Sequence, residues 1–202
     1  MQLLHVDTSI LDDQSASRQL SRAIVQRLRD SRDGTTVTTY DLVADPVGHL
    51  TAAEFFSFQG VVPDAHDAQQ AVTRNAAILN DFLSADVIVI GAPMYNFALP
   101  SQLRAWLDRL AVPGRTFRYT ANGVEGLAAG KRVVVASTRG GLYGEGTPMA
   151  ALDHQETYLR GIFGFLGVTD ITFVRAEGLA FGPEARTAAL AAALAEAQQL
   201  AA

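Results

Sequence analysis

Residues 92–100, Ala-Pro-Met-Tyr-Asn-Phe-Ala-Leu-Pro, bring apolar faces, an amide and backbone donors together in one short segment. The segment follows a run with the character of a buried strand and leads into a helical pattern. Met94, Tyr95 and Phe97 offer apolar surface to a flat ring, and Asn96 offers hydrogen bonds to its edge. We expect the backbone N–H groups between the two prolines to be free for the same purpose. The segment therefore predicts a site for a planar, polar-edged heterocycle such as a flavin.

A second candidate segment, residues 7–18, contains three serines and leads into a helical pattern. Ser9, Ser15 and Ser17 place hydroxyls and free amides at a helix N-terminus, where the helix dipole favours a phosphate. The segment has no glycine and no lysine, which argues against a Walker loop and against the Gly-x-Gly-x-x-Gly dinucleotide fingerprint. A bound phosphate would then have at most Arg18 nearby as a cation. Helix capping by serine is the alternative interpretation of the same residues.

A third candidate segment, residues 136–146, is rich in glycine and follows another apolar run. Gly140 and Gly141 permit a close approach between the backbone and a ligand, and Thr138 adds a hydroxyl. Arg139 would face a nicotinamide dinucleotide or else lie exposed on the loop. A flexible strand-to-helix turn explains the same glycines without any ligand.

The rest of the chain alternates apolar runs with helical patterns, and this alternation predicts how the three segments are positioned. Buried strands are predicted at 3–6, 87–90, 132–136 and 171–176, with a more polar strand at 35–40. Helices are predicted at 17–32, 67–85, 103–112 and 184–202. The pattern indicates an α/β fold, a doubly wound parallel sheet of flavodoxin-like order 2-1-3-4-5 with helices on both faces. Strands one, three and four are then neighbours, so the three segments that follow them form one continuous rim.

Composition and charge limit the classes of function. The 202 residues are 49% hydrophobic and 18% charged, which suits one large domain spanning residues 1–202. The absence of cysteine excludes thiolate catalysis and iron–sulfur clusters, so redox chemistry requires a bound organic cofactor. The net charge of −5 argues against nucleic acid as a partner, and four scattered histidines argue against a metal site. Since the N-terminus lacks a leader pattern and no segment suits a bilayer, we expect a cytoplasmic protein.

Two connections exceed the usual length between elements. Residues 42–67 include Phe55, Phe56 and Phe58, an apolar cluster that would line a binding-site entrance or anchor the loop. Residues 114–130 contain an Asn-Gly turn between short strand patterns, which predicts a β-hairpin reaching over a ligand. Both connections are candidate binding or interface elements.

Short motifs spread over nearly the whole chain occur together in one known family. They are Ala-Pro-Met-Tyr-Asn-Phe at 92–97, Phe-Arg-Tyr-Thr at 117–120, Gly123, Glu-Gly-Leu at 125–127, Thr-Arg-Gly-Gly at 138–141, Ala-Glu-Gly at 176–178 and Gly-Pro at 182–183. In these motifs the chain resembles the FMN-dependent NADH azoreductases, which are also quinone reductases. The resemblance implies a homodimer with noncovalent FMN, one per subunit, at the interface. It also implies that NADH reduces FMN, departs and is replaced by a quinone or an azo compound.

The resemblance, carried over position by position, implies which residues bind FMN. They are Ser9, Ser15, Ala16, Ser17, Met94, Tyr95, Asn96, Phe97, Thr138, Arg139, Gly140 and Gly141. Ala16 replaces a longer polar residue but keeps its amide, and Thr138 replaces a frequent serine but keeps the hydroxyl. Tyr119, Asn96 and Phe163 are candidates for the substrate pocket, with structural packing as the alternative for the two aromatic residues. We expect no side chain to be an obligatory acid or base, because solvent can protonate the product.

Two other classes of protein fit part of the same pattern. A flavodoxin-like FMN electron carrier would bind the same cofactor, dock to protein partners and present a strongly acidic face. This chain is only mildly acidic and has long loops suited to covering a ring, which favours the enzyme. A flavin-free interaction protein would stay colourless even after incubation with FMN.

Overall fold

The computed structural model describes residues 1–201, and its strands lie close to the predicted runs and the predicted hairpin. The strands are β1 Gln2–Asp7, β2 Thr36–Asp41, β3 Val87–Pro93, β4 Phe117–Thr120, β5 Gly123–Gly126, β6 Arg132–Thr138 and β7 Asp170–Ala176. Five of them form a parallel sheet in the order β2-β1-β3-β6-β7, and β4 pairs with β5 as an antiparallel hairpin. Because β6 and β7 are the fourth and fifth strands of the parallel sheet, this order is the predicted one.

The α-helices within residues 1–201 are α1 Ala16–Asp30, α2 Ala52–Ser57, α3 His66–Ser84, α4 Ser101–Leu107, α5 His154–Phe165 and α6 Pro183–Gln198. α4 ends before the predicted position 112, yet Leu110 and Val112 still reach the core from the turns that follow. α6 ends before the predicted position 202, and Ala202 lies outside the described residues. None of the helices described for residues 1–201 has the length and apolarity needed to cross a membrane.

The two faces of the sheet bury alternate residues of each strand, because successive side chains of a strand point to opposite sides. In β3, Val87 and Val89 pack in one cluster with α1 and α6. Ile88 and Ile90 pack in a second cluster with α3, α4 and α5. Each fully buried isoleucine contributes about 1.5–3 kcal/mol relative to an exposed one. Helices therefore cover both faces, as a doubly wound sheet requires.

The insertion after β2 is anchored by a buried ion pair. Arg109 donates to the Glu54 carboxylate of α2 at 2.8 Å, and both side chains are buried. The Asn75 side-chain amide donates to the same carboxylate at 3.0 Å, and the Thr51 backbone amide donates to it at 2.8 Å. Burial alone would raise the pKa of Glu54, but the hydrogen bonds from Asn75, Thr51 and Arg109 outweigh it and lower the pKa. Sequence patterns predicted neither α2 nor this anchor.

The aromatic residues of the same insertion are not its anchor. Phe55 and Phe56 are each 50% exposed, and their rings meet edge to face at 6.0 Å. The prediction that an apolar cluster fixes this loop is wrong for these two side chains, because the polar contacts of Glu54 fix it instead.

The hairpin is attached to the rest of the chain at the end of α5. Phe117 of β4 is buried, with its ring 4.6 Å from that of Phe165. Gly126 of β5 lies against Gly167, so closely that a Cβ on Gly126 would come within 2.2 Å of the Gly167 nitrogen. Only glycine fits at this contact, and the hairpin is held there as a fixed element.

Candidate functional site

The three candidate segments meet at the carboxyl edge of the sheet around a cavity of about 220 Å³. They follow β1, β3 and β6, which are neighbours in the sheet, so the predicted convergence is confirmed. Within residues 1–201, hydroxyl-bearing, apolar, glycine and arginine residues line the cavity, and no aspartate or glutamate does. The lining residues are Ser9, Leu11, Ser15, Ala16, Pro93, Met94, Tyr95, Thr138, Arg139, Gly140, Leu179, Ala180 and Arg186.

The segment after β1 ends at the N-terminus of α1. Here the two predicted roles of its serines, helix capping and phosphate binding, are compatible. Ser15 caps the helix, because its Oγ accepts a hydrogen bond from the Arg18 amide at 3.2 Å. The Ser17 hydroxyl lies 3.0 Å from the Ser15 hydroxyl. The amides of Ala16 and Ser17 stand in the first turn, where a helix supplies no acceptor of its own. The capped terminus therefore still presents donors and a positive dipole end to an anion.

A contact between two of the loops closes one side of the cavity. The Ser9 hydroxyl lies 3.2 Å from the Tyr95 hydroxyl, and the Ile10 amide donates to the same tyrosine oxygen at 3.3 Å. Met94 and Tyr95 also border an adjoining open cleft of about 590 Å³ that includes Asn96. The ring-binding segment thus lies between a small cavity and a larger open cleft.

The segment after β3 reverses direction in a strained turn. Asn96 and Phe97 have φ values of 48° and 69°. Tyr95 and Ala98 exchange two backbone hydrogen bonds of 3.0 Å across them. Positive φ at both central residues is the requirement of a type I′ turn, which asparagine and glycine usually meet. Since the amides of Tyr95 and Ala98 are occupied, the expectation that all N–H groups of this segment are free is wrong.

The segment after β6 is fixed by its backbone. The Thr138 carbonyl accepts from the Met94 amide at 2.8 Å, and the carbonyls of Gly140 and Gly141 accept from the loop before α6 at 3.0 and 2.9 Å. Within residues 1–201, the amides of Gly140 and Gly141 have no hydrogen-bond acceptor. The glycines therefore form a held loop with two donors available, rather than a flexible turn.

The side chain of Arg139 does not enter the cavity as predicted, nor does it lie exposed. It is 1% exposed and pairs with three carboxylates: Asp153 at 2.9 Å, Glu177 at 3.1 Å, and Glu156. These partners come from the N-terminus of α5 and from the residue after β7. The expectation that Arg139 faces a nicotinamide dinucleotide is wrong for its side chain. Its backbone lines the cavity, and its guanidinium holds the loop in place.

The two aromatic candidates for the substrate pocket lie in different environments. Phe163 is fully buried in the core, with its ring stacked 6.4 Å from that of Phe82. Its predicted role in a substrate pocket is wrong, and core packing explains it. Tyr119, in contrast, is 76% exposed on the hairpin, edge to face with Phe117 at 5.5 Å. Its place beside a substrate stays a prediction.

Arg18, the cation expected near a phosphate, is instead hydrogen-bonded to Asp41 and to the backbone of the first loop. Its guanidinium donates to both oxygens of Asp41 at 2.6 and 2.8 Å and to the Ser9 carbonyl at 2.9 Å. The hydrogen bond from Arg18 lowers the pKa of Asp41 to about 2. This pair joins the end of β2 to the segment after β1, and so Arg18 positions the loop.

Three cavity residues were missed because they come from the distant C-terminal part of the chain. Leu179 and Ala180 precede α6, and Arg186 lies within it. The Arg186 guanidinium donates to the carbonyl of Gln14, directly before the cap of α1, at 2.8 Å. No local pattern in this alanine-rich stretch marks Arg186. Only the packing of α6 beside α1 brings it to the site.

A parallel sheet of this order, with a cavity suited to an anion at its switch point, defines a nucleotide-binding class of α/β protein. The chain belongs to the family described as having a flavodoxin-like fold, which it matches over residues 1–201.

Two bacterial relatives match the chain over nearly its whole length and are identical at about half of the aligned positions. The "FMN-dependent NADH:quinone oxidoreductase" of Bradyrhizobium sp. strain BTAi1 is 54% identical over 202 residues, covering 100% of both chains. The protein of the same name from Ralstonia nicotianae is 54% identical over 195 residues, covering 96% of this chain and 93% of the relative. Among solved structures, an FMN-dependent NADH-azoreductase from Bacillus anthracis in complex with FMN superposes with a TM-score of 0.88 at 26% identity. That alignment covers 98% of this chain and 96% of the other.

Proposed function

We propose that the whole chain is one FMN-binding domain of an NADH-dependent oxidoreductase that reduces quinones and azo compounds in two half-reactions. NADH leaves before the acceptor enters the same place. The observation that carries this proposal is the meeting of three loops around a cavity without carboxylates, next to an open helix N-terminus. The names of relatives at 54% identity support the same reaction class.

The residues in and around the cavity fit the chemistry of FMN, which has an anionic phosphate and a flat ring with a polar edge. The first-turn amides of Ala16 and Ser17, with the hydroxyls of Ser15 and Ser17, suit its phosphate. Met94 and Tyr95, shared by the cavity and the cleft, suit the apolar faces of its ring. The unoccupied amides of Gly140 and Gly141 suit the polar ring edge. Bound FMN would supply the hydride chemistry, which a chain without cysteine lacks on its own.

The chain's own residues would bind FMN, orient its ring and exclude water from it. The held loop at Thr138–Gly141 and the turn at Asn96–Phe97 present backbone dipoles that need no rearrangement when negative charge develops on the polar ring edge. Within residues 1–201, no aspartate, glutamate or histidine lines the cavity, and no side chain is required as an acid or base because solvent can supply the proton of a quinol or hydrazine product. Phe97 follows Met94–Asn96 in the chain but lines neither the cavity nor the cleft, and its partly exposed ring lies 6.2 Å from that of Tyr143.

We further propose that two copies of the chain meet near this site. The hairpin carries Tyr119, which is 76% exposed, and the loops after β3 and β6 expose Phe97, Leu142 and Met149 at 37–46%. An apolar surface of this kind favours contact with a partner. A second copy that covered these side chains would shield the cleft from water. It would also supply the aromatic wall of the substrate pocket, which the buried Phe163 does not form.

Rapid anaerobic mixing of the FMN-loaded protein with NADH tests the function. We expect the visible flavin absorbance to bleach within seconds and to return when a quinone or an azo dye is added. Parallel lines in initial-rate plots against NADH at several quinone concentrations would support the two half-reactions. A protein that binds FMN but is not bleached would be an electron carrier. A colourless protein after incubation with FMN would contradict both.

A further inference from the structure

We propose that Arg186 binds the phosphate of FMN and makes the cavity selective for FMN over riboflavin. The inference rests on the proposed function, because it concerns the same cavity. It adds a residue from α6 to a site otherwise built from the loops after β1, β3 and β6.

The position of Arg186 is set by a contact at the end of the cavity where the serines lie. Its guanidinium donates to the Gln14 carbonyl at 2.8 Å, one residue before the Ser15 cap. Arg186 and the first-turn residue Ala16 line the same cavity. A guanidinium has five N–H donors, so one hydrogen bond to a carbonyl leaves the others available to phosphate oxygens.

The charge of Arg186 is uncompensated at this place. Arg18 is paired with Asp41, and Arg139 is paired with carboxylates of α5 and Glu177. Within residues 1–201, Arg186 forms no ion pair, and no carboxylate lines the cavity. The nearby acids of the loop, at 12 and 13, are both exposed. Arg186 is therefore the cation at this cavity that remains free for an anion.

The position of Arg186 in its own helix points the same way. α6 begins at Pro183, so Arg186 lies in its first turns, near the positive end of the helix dipole. A cation is unfavourable there, because the helix dipole places partial positive charge at the N-terminus. An anion bound between α6 and α1 removes this penalty and meets the positive ends of both helices.

The test compares two flavins that differ only by the phosphate. FMN and riboflavin are titrated with apoprotein, and the dissociation constants are read from the quenching of flavin fluorescence. Arg186→Gln is expected to weaken FMN binding about 10-fold or more, the usual effect of losing a charge-assisted hydrogen bond. Riboflavin binding should change less than about 2-fold. Arg186→Lys keeps the charge and should recover part of the FMN affinity.

Arg27→Gln is the matched control. Arg27 is half-buried like Arg186 and also joins α1 to α6, by donating to the Gln198 carbonyl at 2.9 Å, but at the far end of α1. We expect it to leave both dissociation constants unchanged.

Two results would overturn the inference. Unchanged FMN affinity in Arg186→Gln would show that the guanidinium does not bind the phosphate. An equal loss for both flavins would show that Arg186 acts only by holding the loop at Gln14. If Arg186→Gln does not fold, Arg186→Lys and the salt dependence of the wild type test the inference instead. FMN binding by the wild type should weaken as the salt concentration rises, and riboflavin binding should not. A wild-type protein that binds neither flavin would instead contradict the proposed function itself.

Discussion

Phe97 holds a backbone conformation that costs about 1–2 kcal/mol for a residue with a side chain. With φ at 69°, it occupies a turn position that glycine would fill without strain. Its neighbour Asn96, at 48°, belongs to the residue type that tolerates this region best after glycine. A strained, partly exposed aromatic residue directly after the cleft-lining residues Met94–Asn96 is typical of a binding loop rather than of a folding contact.

Replacing Phe97 by glycine should therefore separate stability from binding. We expect Phe97→Gly to raise the free energy of unfolding of the apoprotein by about 0.5–1 kcal/mol, because relieved strain exceeds the entropy cost of glycine. FMN affinity should fall about 2–10-fold, because an apolar contact to the ring is lost. Urea unfolding and flavin titration measure the two effects. Asn96→Gly is the control for stability, and a Phe97→Gly protein less stable than wild type would refute the strain argument.

The Arg18–Asp41 pair predicts a specific dependence of stability on pH. The folded pKa of Asp41 is about 2, below its ordinary value near 4. A depressed pKa contributes stability that is complete above the ordinary value and is lost as the pH falls from about 4 toward 2. We expect Asp41→Asn to reduce stability at pH 6 and to flatten the decline between about pH 4 and pH 2 in urea unfolding. A mutant with the same acid profile as wild type would show that this pair contributes nothing.

β1 and β3 fit together at the site because Gly91 leaves room for a buried carboxylate. Asp7, its partner in the register, accepts from the Ser21 hydroxyl of α1 at 2.7 Å, and His5 lies 3.0 Å from the same hydroxyl. This polar row joins the end of β1 to α1 beneath the candidate phosphate site. A Cβ on Gly91 would stand 2.4 Å from the Asp7 carboxylate oxygen.

Gly91→Ala should accordingly destabilise the protein and disturb the first loop. We expect a loss of about 1–3 kcal/mol, the usual cost of overpacking a tight interior. Gly48→Ala is the matched control, since a Cβ at Gly48 would meet open space and its φ suits any residue. The control should stay within about 0.5 kcal/mol of wild type. Equal unfolding free energies for the two variants would contradict the packing argument.

Elements with a local signal were predictable from the sequence, and contacts between distant elements were not. Four apolar runs and one polar run predicted the five strands, their alternation with helices predicted the order, and the Asn122-Gly123 turn predicted the hairpin. α2 was missed because it is short and depends on the buried Glu54 contacts. Arg139 and Arg186 were misjudged or missed because their partners lie far away in sequence, so neither spacing nor composition reveals them.

At the scale of the whole molecule, the exposed apolar side chains of the hairpin and of the loops after β3 and β6 predict association. We expect sedimentation equilibrium to give twice the chain mass of 21.5 kDa. Tyr119→Ser should weaken the dimer, because it removes a highly exposed aromatic side chain, while leaving the fold intact. Val62→Ser offers a control, since Val62 is 78% exposed on the other insertion. A monomeric wild type at micromolar concentration would rule out the proposed dimer.

The central claim is that the loops after β1, β3 and β6 together bind one flavin. A crystal structure of the FMN-loaded protein tests it most directly. We expect the phosphate within hydrogen-bond distance of the Ala16 and Ser17 amides, and the ring between Met94–Phe97 and the loop at Thr138–Gly141. Density for FMN at any other place, with this cavity empty, would contradict the account.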